Sequence, residues 1–257
     1  MVITRSVHQS APGPHVLAVA GATGTLGRSV VAAAESAGHE VRCITRSHGI
    51  DVTTGVGLAA ALEGAHALID CLKPPQLDDS AGPWFEAAAS VLGGHAREAG
   101  VGRTVAVSIV GIDHMQDYPF YRAQLRHERA VREHCPDPVI VRATQFHDFV
   151  GGRLRRVGDH YEVMAVPSQS VDTRAVAGLL IAQALAVNPP ALVEIAGPQE
   201  ERTLDQARRL LAARGESAEV VGVPASESMT RGGMLPGPEV LRAGLTYDQW
   251  LAETYGS

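Results

Sequence analysis

Three glycines at three-residue spacing, Gly21, Gly24 and Gly27, constrain this chain more than any other feature. They follow an apolar run (Val16 to Ala20) and open an Ala-rich stretch with helical periodicity (Leu26, Val30, Val31, Ala33, Ala34). A second strand-like run, Val41 to Thr45, comes next. Strand, tight turn, helix, strand is the unit that grips the pyrophosphate of a dinucleotide. One glycine permits the turn, one lets the backbone approach the phosphates, and one lets the helix pack on the sheet. The helix N-terminus adds unpaired N–H groups and a partial positive charge. Glycine triplets also serve ordinary turns and caps, but here the flanking strand and helix agree with the dinucleotide reading. Gly21, Thr23, Gly24, Thr25, Leu26 and Gly27 are therefore candidate cofactor contacts.

The end of the second strand bears on which dinucleotide is bound. An NAD site usually carries Asp or Glu about 20 residues beyond the glycines, to bond the ribose 2′-hydroxyl. Between Val41 and Ile50 there is no acid, only Arg42, Thr45, Arg46, Ser47 and His48 among the polar residues. A carboxylate there repels a 2′-phosphate, whereas a guanidinium pairs with it in bidentate fashion. Arg46 is the candidate 2′-phosphate ligand; its alternative is a solvated arginine on an exposed loop. The expected cofactor is NADP, with NADPH preferred over NADH.

Composition narrows the class. The 257 residues approach the upper limit of one compact core. No apolar run reaches the ~20 residues of a membrane span, and no basic segment followed by an apolar core marks a signal peptide. A formal net charge of −6 argues against a general nucleic-acid surface, although arginines cluster locally at 122–132 and 153–156. Cys43, Cys71 and Cys135 show no metal-ligand spacing, and Cys43 and Cys71 sit in apolar runs where a buried thiol is the default. A reducing cytoplasm is the expected location, and no metal is expected. Lys73 is the only lysine.

Strand and helix patterns alternate through residues 15–150, which are expected to form the dinucleotide-binding core behind a loose tail at 1–14. Asp51 precedes a helix at Gly57 to Leu62. Ala67 to Leu72 reads as a strand, Trp84 to Ala99 as a helix, Thr104 to Ile109 as a strand, Arg122 to Glu133 as a helix and Val139 to Arg142 as a strand. Such alternation demands right-handed crossovers and helices on both faces of a parallel sheet. The fold class is thus α/β, a Rossmann-type doubly wound parallel sheet with a small C-terminal substrate-binding region. In 151–257 the pattern loosens: Asp172 to Ala186 (helix), Ala191 to Ile195 (strand), Thr203 to Arg214 (helix capped by Thr203), Val220 to Val223 (strand) and Tyr247 to Thr254 (helix). These segments are expected to complete the fold and cover a pocket at the carboxyl ends of the strands. Arg231 to Pro238, rich in Gly and Pro, reads as a lid or a linker.

The ordered set of motifs resembles the atypical short-chain dehydrogenase/reductases, especially their NmrA-like, NAD(P)-binding branch. It comprises Gly21-Ala-Thr-Gly-Thr-Leu-Gly27, Arg46, Ser108-Ile-Val-Gly111, Phe120-Tyr-Arg-Ala-Gln124, Arg142-Ala-Thr-Gln-Phe-His-Asp-Phe149 and Gly197-Pro198 before Thr203-Leu204. In catalytically active relatives a Tyr and a Lys four apart on one helix face do the proton chemistry, and a Ser at the end of the preceding strand bonds the substrate carbonyl. The resemblance maps the serine to Ser108, the tyrosine to Phe120 and the lysine to Gln124. Phe has no proton to give, and neutral Gln supplies no field to acidify a phenol.

Candidate catalytic residues are therefore Ser108, Tyr121 and His147. Tyr121 adjoins the family position but is turned about 100° from it on a helix, and its alternative is a packed or rim residue. His147, on the carboxyl edge, has a residue type suited to acid–base work near neutral pH; its alternative is a hydrogen-bonded pocket wall. Gln124, Leu72 and Lys73 are expected to border the cofactor. Asp51 and Val52 match the family segment against the adenine ring, with helix capping an equally suitable use for Asp51. Three functions fit: an NADPH-dependent reductase of a small, largely apolar molecule, a non-redox isomerase or cyclase, or an NADP(H) redox sensor that signals to a protein partner.

Overall fold

A computed structural model describes residues 13–256; all but the last two residues of the expected 1–14 tail lie outside them. From the N-terminus run β1 (Val16–Ala20), α1 (Thr25–Ser36), β2 (Glu40–Ile44), α2 (Leu58–Leu62), β3 (Ala67–Asp70), α3 (Ala81–Glu98), β4 (Arg103–Ile109), α4 (Pro119–His134) and β5 (Pro138–Ala143). The second half adds β6 (Arg155–Val157), β7 (His160–Met164), β8 (Pro167–Ser168), α5 (Thr173–Leu185), β9 (Leu192–Ala196), β10 (Glu201–Arg202), α6 (Thr203–Ala213), β11 (Glu219–Val223), α7 (Glu227–Thr230), β12 (Leu241–Arg242) and α8 (Tyr247–Tyr255).

The central sheet has seven parallel strands in the order β12-β9-β5-β4-β3-β1-β2. This is a Rossmann-type α/β fold. Side chains of β1 alternate between two cores, as strand geometry requires. Leu17 and Val19 pack with Leu26 and Val30 of α1 and Val176 and Leu180 of α5. Ala18 and Ala20 face Leu58 and Leu62 of α2 and Leu92 of α3. Strand order reverses beside β1, with β2 on one side and β3 on the other, and open α/β sheets bind ligands at such a point.

The C-terminal half does not stand apart from this sheet, because β9 and β12 extend it and α5 packs on α1. The remainder forms a small cap. A three-stranded sheet (β11-β7-β6) and a two-stranded one (β10-β8) lie beside α6, around Val150, Val163, Ala207, Leu211 and Val220, and α8 packs on α6 through Leu210, Tyr247 and Leu251. The 231–238 segment is anchored by Met234, fully buried with Ile112, Met115 and Met229. No helix among the described residues is long and apolar enough to cross a membrane.

Several local expectations need correction. Helix α4 starts at Pro119 rather than Arg122, since proline at the first turn lacks only an N–H that needs no partner there. Thr203 does not cap α6; its hydroxyl instead bonds the backbone of Met164 and Val166, tying α6 to the cap. Asp51 does not cap α2, whose N-cap is Gly57. Its carboxylate takes the Thr53 N–H (2.8 Å), the Thr53 hydroxyl (2.7 Å) and the Thr54 N–H (3.3 Å), closing its own turn. Four of the seven clustered arginines are ion-paired: Arg122 with Asp79, Arg126 with Glu86, Arg132 with Glu128 and Arg155 with Glu162.

Candidate functional site

Two cavities, of about 610 and 600 Å³, lie at the carboxyl edge of the sheet, and Lys73 lines both. The first is built on the glycine turn. Gly21 has φ +75°, and a Cβ there would sit 2.6 Å from the Cys71 carbonyl oxygen, so the turn is closed to side chains. A Cβ on Gly27 would run into the Gly21 carbonyl and the Ala22 backbone, which is how α1 packs tightly on β1. Gly24 is more open and lines the cavity. With no side-chain cap on α1, its first-turn N–H groups remain available to an anion. Leu26 buries its side chain in the core, so it can offer only its backbone to such an anion.

Around this cavity stand Thr23, Thr45, Arg46, Ser47, Ile50, Asp51, Val52, Leu72 and Trp84. Arg46 opens a short 3₁₀ turn after β2, is exposed, and makes no ion pair among the described residues. The Thr53 and Thr54 hydrogen bonds hold the Asp51 carboxyl below its usual pKa. These features fit a dinucleotide's adenosine end: a closed glycine turn under a free helix N-terminus, apolar walls, and an uncommitted guanidinium at the rim.

The second cavity is largely aromatic. Tyr118, Phe120, Tyr121, Phe146, Phe149, Trp250 and Tyr255 line it, with Thr25, Ser108, Gln145, Asp148 and Arg153 among the polar members. Tyr121, at the first turn of α4, reaches this cavity. Burial pushes its phenol up to about 12, so at neutral pH it is a hydrogen-bond donor and a poor acid. Arg153 lies over the Phe149 ring, 5.5 Å from its centroid.

Ser108, at the end of β4, lines the cavity but donates its hydrogen away from it, to Glu128 Oε1 at 2.6 Å. Glu128 is 1% exposed and is clamped by Arg142 Nε (2.8 Å), Arg142 Nη2 (3.0 Å) and Arg132 Nη2 (3.0 Å). Arg142 also bonds Asp113 at 2.5 Å.

Two predicted site residues are drawn elsewhere. Gln124 lines neither cavity; its buried amide donates to the Val107 carbonyl (3.1 Å) and lies 3.4 Å from His127 Nδ1. His147 is also outside the cavities. Its Nε2 donates to the Leu245 carbonyl (3.1 Å), and its Nδ1 pairs with the Ser170 hydroxyl (2.9 Å), which in turn accepts from Gln206 (2.8 Å). With both ring nitrogens committed and burial holding its pKa down, His147 reads as a structural joint rather than an acid or base facing substrate.

Sequence reasoning missed Glu128 and Gln145. Glu128 reads as one charge of a polar helix, yet it falls on the buried face with Gln124 and Val131. Gln145 belongs to a quoted motif, but nothing in sequence marks its state: it is 7% exposed, and neither amide atom has a hydrogen-bond partner among the described residues.

The sequence matches the NAD(P)H-binding family over residues 21–186. No curated protein matches it significantly. Among solved structures it is similar to a short-chain dehydrogenase/reductase superfamily protein from Agrobacterium tumefaciens with bound NAD (TM-score 0.67, 20% identity, 94% of this chain and 96% of that one). It is also similar to the NADPH-dependent quinone oxidoreductase of Escherichia coli complexed with NADPH (0.66, 15%, 92% and 99%). A third is the UDP-N-acetylglucosamine 4-epimerase of Bacillus cereus (0.67, 14%, 94% and 98%). At these identities the likeness establishes the fold.

Proposed function

Because the chain belongs to the NAD(P)H-binding family, we propose that it is an NADPH-dependent reductase of small, conjugated, quinone-like molecules. The observation that carries this reading is an aromatic cavity in which Phe120, Tyr121 and Ser108 offer no ready proton, joined at Lys73 to a cleft that fits a dinucleotide. Bound NADPH supplies a hydride. The chain's own residues bind and orient. The Gly21–Gly27 turn and the N-terminus of α1 would hold the pyrophosphate, Arg46 and Ser47 the 2′-phosphate, and Ile50, Val52 and Leu72 would offer apolar surface to the adenine.

Simple carbonyl reduction leaves a localised alkoxide that wants an adjacent proton donor. Phe120 has none, Gln124 is turned into the sheet, and Ser108 has given its hydrogen to Glu128. A quinone spreads the charge left by hydride addition over its ring and oxygens, so the final proton can come from water. Tyr121 then needs only to donate a hydrogen bond to an oxygen of the acceptor, and the aromatic walls supply stacking faces. The quinone oxidoreductase among the fold neighbours supports the same choice.

Steady-state oxidation of NADPH with 1,4-naphthoquinone, against benzaldehyde and hexanal, tests this. Turnover with the quinone and little with the aldehydes is the expected result. Aldehyde reduction without quinone reduction overturns it. NADPH binding without turnover on a broad quinone panel favours a sensor instead.

A further inference from the structure

We infer that the aromatic cavity selects ligands that present an O–H or N–H donor to Ser108, because Glu128 has taken the serine's own hydrogen. A hydroxyl has one hydrogen, and an ionised carboxylate only accepts. Ser108 Oγ lies 2.6 Å from Glu128 Oε1. That carboxylate has no route to solvent and is held by Arg142 through two nitrogens and by Arg132 through a third. Its orientation is therefore fixed from behind, and a charge-assisted bond at this distance is among the stronger ones a hydroxyl makes.

The consequence is a reversal of polarity at the cavity wall. With its hydrogen turned to Glu128, the Ser108 oxygen has only lone pairs to offer the cavity that the residue lines. A carbonyl oxygen placed there meets oxygen against oxygen. A hydroxyl or an N–H instead completes a run of bonds from ligand to Ser108 to Glu128, closed by Arg142, which Asp113 steadies on its other side. Glu128 touches no ligand; it acts through Ser108 and is a positioning residue. The inference rests on the reading of this cavity as the substrate site. It deepens that reading: among conjugated acceptors, those carrying a hydroxyl or amino substituent away from the reacting oxygen bind more tightly than those without one.

Indole and benzofuran have nearly the same shape and differ by an N–H against a ring oxygen, so they isolate the donor. Calorimetric titration of the full-length protein loaded with NADP⁺ is expected to show indole binding about tenfold tighter than benzofuran. Ser108→Ala should bring the two affinities together. Glu128→Gln, whose amide can donate to Ser108 and free its hydrogen for the cavity, should narrow or invert the ratio. The wild-type ratio alone decides the matter if that variant fails to fold. Equal or tighter binding of benzofuran by the wild type overturns the inference, as does a ratio that survives in Ser108→Ala. Quinone turnover without indole preference removes this inference alone. Failure of both probes to bind removes the cavity reading together with it.

Discussion

His127 Nε2 lies 3.0 Å from Asp70 Oδ2, with both side chains only 2% exposed, and this pair ties α4 to the Cys71–Lys73 segment that walls the cavity above the glycine turn. The other Asp70 oxygen takes the Leu72 N–H at 2.9 Å, and the His127 ring stacks on Phe85 with centroids 4.3 Å apart. Removing His127 leaves one oxygen of the buried Asp70 without its partner. His127→Leu is expected to lower stability by about 3–5 kcal/mol in urea titrations and to weaken NADPH binding by the protein that still folds. An unchanged unfolding midpoint would mean that Asp70 finds another partner.

Replacing Arg46 tests the proposed preference for NADPH over NADH. Charge-assisted hydrogen bonds contribute about 1.5–3 kcal/mol, so Arg46→Ala should raise the Kd for NADPH roughly ten- to hundredfold. Its Kd for NADH should hardly change. Fluorescence titration with both cofactors reads this directly, and an equal loss for both would place the arginine away from the 2′-phosphate.

Gly27 and Gly24 should fail in different ways. Gly27→Ala forces a methyl into the Gly21 carbonyl and should destabilise the whole fold, by about 1–3 kcal/mol or more as overpacked cores do. At Gly24 a Cβ meets only the Gly21 oxygen, at 3.2 Å. Gly24→Ala should therefore stay folded by circular dichroism and lose cofactor affinity.

His147 gives the fold an acid-side weakness. Burial lowers its pKa in the folded chain, whereas the unfolded chain takes up the proton near ~6.5. Between these two values the unfolded state binds more protons, so stability falls as pH drops through that window. The wild type should lose more of its thermal stability than His147→Gln between about pH 7.5 and 5.5. Parallel losses in the two proteins would assign the effect to other groups.

The core of the fold was legible because its signals are local and periodic. The β1–α1–β2 unit, the buried strands β4 and β5 and the long helices announce themselves through glycine placement and alternating or helical apolar positions. The cap was less legible. Strands β6, β8, β10 and β12 have two or three residues each, too few for a period to register, and β6 consists of Arg155, Arg156 and Val157. The site divides the same way. Phe120 and Gln124 are legible at once as side chains that neither give a proton nor acidify a phenol. The direction of the Ser108 hydrogen depends on Glu128, 20 positions away, whose burial is decided by tertiary packing of α4 on β4. His147 sits beside a sheet edge in sequence, and only the fold shows both its nitrogens occupied by Ser170 and Leu245.

The position of Lys73 has a practical corollary. It is exposed, it lies at the seam of the two cavities, and it is the chain's only lysine. An amine-acylating reagent therefore finds one ε-amino group, and that group stands where the two cavities meet. The protein carries a built-in occupancy reporter: the rate at which a single site becomes labelled, read by mass spectrometry, tracks how full the cleft is without any engineered tag.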